Sequence, residues 1–180
     1  MDQLNFSVAE AIDPFLKFKK IKFTPFRDAS YGPCTYELSL YGCFAGFKKA
    51  KDLGWYNFST FDLAQYEKYE QVCNGDLNWI IPKKFIAFSG PASPDEPEVE
   101  ESYNHPPEKY VPIFKKWDVS LVIRLNKKQY NAKGFTKHGI KHVDLYFLDG
   151  SCPSEYVQAF PLSRGIAYEE PHVIDCFVAI

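Results

Sequence analysis

The sequence predicts an α/β protein in which a helical first part precedes a parallel-rich sheet with helices. Residues 119–125 form a near-continuous apolar run, which is typical of a strand buried on both faces of a sheet. Residues 142–148 form a second strand-like run, and the segment between them, residues 128–138, favours a helix. A strand, a helix and a strand in this order indicate a right-handed crossover between parallel strands.

Helical patterns dominate the first part of the chain. Residues 8–23 predict a helix followed by an extended segment, and residues 34–53 predict a long amphipathic helix because apolar side chains recur every three or four positions. Gly54 is predicted to end that helix. A further helix is predicted over residues 60–74, with Asp62 in its first turn.

The character of the chain changes after residue 75. Residues 77–81 and 85–89 predict two strands joined by a Pro-Lys-Lys turn. Residues 91–107 are rich in proline, aspartate and glutamate, which indicates a surface loop. Two prolines then precede a predicted helix over residues 108–117.

Composition excludes several classes of function. The 180 residues are 46% apolar and 17% aromatic, which predicts a packed core. A net charge of −2 argues against a nucleic-acid partner. The apolar runs are far shorter than the roughly 20 residues of a membrane span, and no secretory signal is expected. Five cysteines without a C-x-x-C spacing favour a reducing compartment, the nucleus or the cytoplasm.

Asp149 is a candidate general acid. It follows the predicted strand of residues 142–148 and precedes Gly150, and ligands of open α/β sheets bind beyond the carboxyl ends of strands. An acid on a mobile loop would suit this position. The alternative is that the Asp-Gly pair only makes a turn, and position alone favours that alternative.

Glu67 and Glu70 are candidate binding residues. They lie three positions apart and share one face of a predicted helix, where they could form an acidic strip for a basic substrate. The alternative is an ordinary solvated face, which the spacing alone favours. The four histidines are neither paired nor near cysteines at ligand spacing, so no metal site is predicted.

Four segments of the chain closely resemble, in the same order, the cell-division-cycle-fourteen family of dual-specificity phosphatases. They read PFRDASYGPCTY at residues 25–36, GDLNWIIPKKFIAFSGP at 75–91, VIRLNKK at 122–128 and DGSCPS at 149–154. The resemblance is collinear from about residue 8 to residue 160. It implies an enzyme of cell-cycle control that reverses proline-directed serine phosphorylation at mitotic exit.

The resemblance also implies a division of the chain. Members of the family carry two phosphatase-like domains, of which the first is non-catalytic and the second catalytic, with a helix linking them. Residues 1–58 would correspond to the end of the first domain and residues 59–75 to the linker helix. Residues 76–160 would be the front half of the catalytic domain, and residues 161–180 a divergent tail. The implied fold is a partial dual-specificity phosphatase-like domain preceded by a helical segment from a second phosphatase-like domain.

Three site residues take their roles from the resemblance. Asp149 matches the general acid of the family, which reverses the preference for a simple turn. Glu67 and Glu70 match glutamates that line an acidic groove. The implied partners are phosphoprotein substrates in which serine-proline is followed by basic residues. No metal or organic cofactor is implied, and neither a nucleic acid nor a membrane is an expected partner.

The chain departs from the family at the nucleophile. These phosphatases need H-C-x-x-x-x-x-R, in which the thiolate attacks phosphorus and the arginine holds the phosphate oxygens. Cys176 follows aspartate instead of histidine, and no arginine stands six positions after it. Cys152 lies in the acid loop and lacks the motif as well. We therefore expect a chain truncated before the nucleophile and inactive in isolation.

Two other interpretations stand beside this one. The chain could be a non-catalytic binding module for basic phosphopeptides, or a fragment without function. Because flanking parts of the homologous fold are absent, the strands at residues 119–125 and 143–148 are expected to lose neighbours and expose apolar surface.

Overall fold

The computed structural model of the protein describes residues 5–18, 20–27, 32–34, 37–92 and 105–148, and the backbone of residues 175–179. Internal contacts divide the chain into two compact units, Met1–Phe61 and Asp62–Ile180. The domain boundaries expected near residues 58, 75 and 160 stay predictions. Most of the acidic, proline-rich loop lies outside the described residues.

Within its described residues, the first unit contains two α-helices, a short 3₁₀ helix and a pair of short strands. Its elements are β1 (Phe26–Arg27), β2 (Glu37–Leu38), α1 (Val8–Leu16), α2 (Leu40–Asp52) and a short 3₁₀ helix, Phe58–Thr60. A capping box fixes the start of α1, because the Ser7 hydroxyl accepts from the Glu10 N–H at 3.2 Å while the Glu10 carboxylate accepts from the Ser7 N–H at 2.8 Å.

The helix α2 is shorter than the sequence predicted. The Ser39 hydroxyl accepts from the Gly42 N–H at 3.0 Å and caps the helix, so α2 begins at Leu40 and not at residue 34. Residues 37–38 pair instead with residues 26–27 in an antiparallel ladder. The predicted end is confirmed, because Leu53 is the C-cap and Gly54 follows with a φ of 69°.

Aromatic contacts join the pieces of the first unit. The ring centroids of Phe15 and Phe44 lie 5.9 Å apart across α1 and α2, and those of Phe47 and Tyr56 lie 5.2 Å apart. No residue of α1 or α2 is fully buried. The first unit therefore keeps apolar side chains on its surface.

The described residues of the second unit form a five-stranded sheet with helices. Its strands are β3 (Leu77–Ile81), β4 (Phe85–Ser89), β5 (Leu121–Arg124), β6 (Lys141–Asp144) and β7 (Asp175–Ala179). Its helices are α3 (Leu63–Glu70), α4 (Pro107–Lys116), the short α5 (Lys133–Thr136) and a 3₁₀ turn, Val72–Asn74. Strands β3 and β4 and helix α4 agree with the sequence predictions.

The strand order is β3-β4-β7-β5-β6, and only the β3–β4 pair is antiparallel. The predicted parallel pairing of β5 and β6 is confirmed. Strand β7 lies between β4 and β5, with Asp175 paired to both Phe85 and Leu121. A strand from the segment expected to be a divergent tail thus occupies the centre of the sheet, which the sequence analysis did not predict.

The core lies on both faces of β5. Val122 belongs to a cluster with Phe88, Phe114 and Phe135, while Leu121 and Ile123 belong to a second cluster with Leu145. The rings of Phe88 and Phe114 meet edge to face at 5.1 Å, a favourable aromatic geometry. The prediction of a strand buried on both faces is confirmed.

Three further elements have bounds that differ from the prediction. The helix expected from residue 60 begins at Leu63, because the Asp62 carboxylate accepts from the Gln65 N–H at 2.9 Å and acts as N-cap. It stops at Glu70, since Gln71 has an extended ψ of 133°. The helix expected over residues 128–138 is only α5, and the strand expected over residues 142–148 is only Lys141–Asp144.

Candidate phosphatase-related site

The structure describes only part of the predicted site. Asp149 and Cys152 lie outside the described residues, and their roles stay predictions. Cys176 is placed by its backbone within β7. Glu67 and Glu70 are described, and both lie on α3 with exposed side chains.

Aromatic packing holds α3, and with it the two glutamates, in the second unit. The Tyr69 ring, on the same helix, meets the Trp117 ring edge to face at 4.8 Å, and both pack against the core cluster. Within the described ranges neither Glu67 nor Glu70 forms an ion pair. The acidic strip therefore stands on a fixed helix with its carboxylates available to solvent.

A buried arginine joins the carboxyl ends of β5 and β6. The guanidinium of Arg124, which is 2% exposed, donates to the Tyr130 carbonyl at 2.7 Å and to the Asp144 carboxylate at 2.8 Å. Its Cζ also lies 4.6 Å from the centroid of the Tyr130 ring. These contacts meet the hydrogen-bonding and charge requirements of a cation that would be costly to bury alone.

The chain beyond β6 remains bound to β5. The Leu145 N–H donates to the Arg124 carbonyl at 2.9 Å, and the Phe147 N–H donates to the Leu125 carbonyl at 3.2 Å. These bonds fix the backbone two positions before Asp149.

No role was predicted for Arg124 from the sequence. The signal was available, because a charged residue inside the apolar run of residues 119–125 must find partners in the core.

His142 completes this buried polar group. Its side chain is 3% exposed, and its Nε2 lies 2.8 Å from the Tyr130 hydroxyl. Burial, followed by the positive charge of Arg124, lowers the pKa of His142 to about 4, while the Asp144 carboxylate acts in the opposite direction. At neutral pH the imidazole is therefore uncharged and serves as a packing and hydrogen-bonding group.

Two other features are absent from the described residues. Among the described residues no cluster of three histidine, cysteine, aspartate or glutamate side chains has the arrangement of a metal site. No helix in the described part of the chain is long and apolar enough to cross a membrane.

Comparisons with known proteins identify the relatives of this chain. Residues 1–50 match the family described as "Dual specificity protein phosphatase, N-terminal half". The putative protein tyrosine phosphatase from Leishmania major is a solved structure with a TM-score of 0.36 and 19% identity, covering 53% of this chain and 58% of that one. The matched family model describes dual-specificity phosphatases, and this is also the class of the curated relatives of the chain.

Curated relatives define the family within that class. The chain is 49% identical over 149 residues to dual specificity protein phosphatase CDC14A of Homo sapiens, covering 82% of this chain and 25% of the relative. It is 48% identical to CDC14C of Homo sapiens, covering 82% and 33%, and 46% identical to tyrosine-protein phosphatase cdc-14 of Caenorhabditis elegans, covering 82% and 21%. The chain therefore belongs to the CDC14 family, and the predicted resemblance is confirmed. It spans a third or less of the length of these relatives.

Proposed function

We propose that this chain takes part in the dephosphorylation of phosphoproteins as a partial CDC14-type unit, in the nucleus or the cytoplasm. It would present the acid-loop segment with Asp149 and the α3 surface, and the 180 residues alone would not complete phosphoryl transfer. The family membership supports the phosphatase relationship. The named relatives are protein phosphatases.

The position of Cys176 supports the lack of turnover. A phosphatase cysteine must lie on a loop whose backbone N–H groups surround the phosphate. Cys176 is the second residue of β7 and is paired to Ile86 on one side and Val122 on the other. In a strand with neighbours on both sides, backbone N–H groups bond to the ladder and not to a ligand.

Hydrolysis of 4-nitrophenyl phosphate tests this proposal. We expect the purified chain to release nitrophenol at the rate of the blank, and Cys176→Ser and Asp149→Asn to leave that rate unchanged. Turnover above the blank that disappears with Cys176→Ser would show that Cys176 is a nucleophile and would overturn the proposal.

The α3 surface favours a second candidate function, the binding of basic peptides without turnover. Its support is that Glu67 and Glu70 are exposed, one helical turn apart, and outside any ion pair within the described ranges. Two carboxylates in this arrangement produce a shared negative field. Lysine or arginine side chains after a phosphoserine-proline would pair with it.

A labelled peptide with phosphoserine-proline followed by three lysines tests this second function by fluorescence anisotropy. Exposed ion pairs contribute about 0.2–1 kcal/mol each, so Glu67→Gln and Glu70→Gln should each weaken binding a few-fold, and salt should weaken it in parallel. Asp118→Asn, an exposed acid in the same unit, is the matched control and should change nothing. Unchanged affinity in the double variant would make the strip an ordinary solvated helix face.

A further inference from the structure

A groove of about 280 Å³ opens between α3 and the end of α4, on residues other than Glu67 and Glu70. Tyr69 and Trp117 contribute aromatic surface to its lining. Trp117 is held from two sides, because its ring lies 4.8 Å from that of Tyr69 and 5.3 Å from that of Trp79. Packing against the core holds these two rings at the base of the groove, whose other lining side chains are mostly polar.

Two lysines give the groove a positive rim. Lys68 on α3 and Lys116 at the end of α4 both line it, both are exposed, and neither forms an ion pair in the part of the chain that the structure describes. The Lys68 ammonium stays close to the floor, 5.3 Å from the centroid of the Tyr69 ring. The two ammonium groups are therefore available to an anionic ligand.

The one acidic side chain of the lining is already engaged. The Asp62 carboxylate accepts from the Gln65 N–H at 2.9 Å and lies 3.4 Å from the Gln65 side-chain nitrogen, which fixes it as the N-cap of α3. Even with its full charge counted, two lysines against one carboxylate leave the lining positive.

We infer that this groove binds an acidic peptide through an aromatic side chain flanked by carboxylates. An aromatic ring fits the volume and can pack edge to face against Tyr69 and Trp117. Carboxylates beside it would pair with Lys68 and Lys116 and fix the orientation of the ring, as a few polar groups do around an apolar pocket. The inference is independent of the proposed function, whose peptide has the opposite charge.

The probe is a fluorescein-labelled peptide, Gly-Asp-Glu-Phe-Glu-Asp-Gly, titrated with the full 180-residue chain by anisotropy. Binding is expected for this peptide, and replacement of its phenylalanine by serine should weaken it about threefold or more, because the open groove buries only part of the ring. An amide version, with asparagine and glutamine in place of the acids, should lose affinity and salt dependence together. Equal binding of all three peptides would overturn the inference.

Variants of the chain locate the site. Lys68→Ser and Lys116→Ser should each weaken binding about two- to fivefold, the size expected for exposed ion pairs. Lys115→Ser is the matched control, because Lys115 is exposed in the same helical turn and does not line the groove. If Lys115→Ser weakens binding as much as Lys116→Ser does, the attraction is general and the groove is not the site.

Trp117→Phe keeps an aromatic floor and removes one of the three tryptophans. The unlabelled peptide should quench the fluorescence of the wild-type chain and leave that of Trp117→Phe unchanged. Quenching that persists in Trp117→Phe would place the peptide elsewhere and overturn the inference.

Discussion

Arg124 enters the sheet within an apolar strand, and its partners come from two later segments of the chain. Tyr130 offers its carbonyl and the face of its ring, and Asp144 offers a carboxylate that is 57% exposed. The guanidinium therefore links the buried strand to the solvent-facing end of the next one.

Removal of this guanidinium should lower the free energy of unfolding. Arg124→Met fills similar space and leaves the Tyr130 carbonyl without this donor, so we expect the free energy of unfolding to fall by about 1–3 kcal/mol in urea titrations. Lys141→Ala, an exposed change in the neighbouring strand, should stay within about 0.5 kcal/mol. Equal stability of Arg124→Met and wild type would show that the guanidinium makes no net contribution.

His142 should make stability depend on pH. Its pKa is lowered to about 4 in the folded chain, against an ordinary value of 6.5, so between these values the unfolded state binds more protons. Stability should be fully present above pH 6.5 and fall as the pH is lowered towards 4. Each pKa unit corresponds to about 1.4 kcal/mol, so the loss should reach up to about 3 kcal/mol.

Urea unfolding at several pH values measures this dependence. His142→Phe should be less stable at pH 7 and show a flatter pH profile, while the exposed change Lys141→Ala should keep the wild-type profile. If the stability of the wild type depends on pH no more steeply than that of His142→Phe, His142 is not the source of the pH dependence.

At the scale of elements, α4 and α5 meet at a glycine. A Cβ on Gly134 would lie 2.6 Å from the Pro107 Cβ and 2.8 Å from its Cγ, and a proline ring cannot rotate away. Gly134→Ala should therefore lower stability by about 1–3 kcal/mol, the usual cost of overpacking. The control is Gly46→Ala in α2, where no atom lies within 4 Å of the new Cβ and where we expect a gain of about 0.5–1 kcal/mol. Thermal unfolding of both variants checks the opposite signs.

The sequence predicted well those elements whose local pattern alone determines the structure. It predicted poorly those in which side-chain hydrogen bonds or tertiary contacts compete with the local pattern. Strands β3 and β4 have an apolar run on each side of a clear turn, and both were found at the predicted residues. The segment at residues 128–138 has helical spacing, yet the Asn131 side chain accepts from the Lys133 N–H at 2.9 Å and only α5 forms. For the site, Glu67 and Glu70 were placed on a helix correctly, while the partners of Arg124 depend on tertiary contacts that no local pattern contains.

At the scale of the second unit, the central strand should be the most sensitive to backbone change. Phe177 pairs with Ala87 on one side and Ile123 on the other. Phe177→Pro removes a backbone donor from a strand with two neighbours, so we expect a loss of at least about 2 kcal/mol. Phe177→Val, which keeps the N–H, separates the backbone effect from that of the side chain. Similar melting temperatures for the two variants would argue against a central position of this strand.

The order of the strands also bears on folding kinetics. Phe85 and Leu121 both pair with Asp175, which comes much later in the chain. Pairings between residues far apart in sequence form slowly, because the entropy of closing the loop opposes them. Until β7 arrives, β4 and β5 each present an unpaired edge to solvent, and such edges attract other chains. Between the synthesis of β5 and the docking of β7, these open edges therefore expose the protein to self-association.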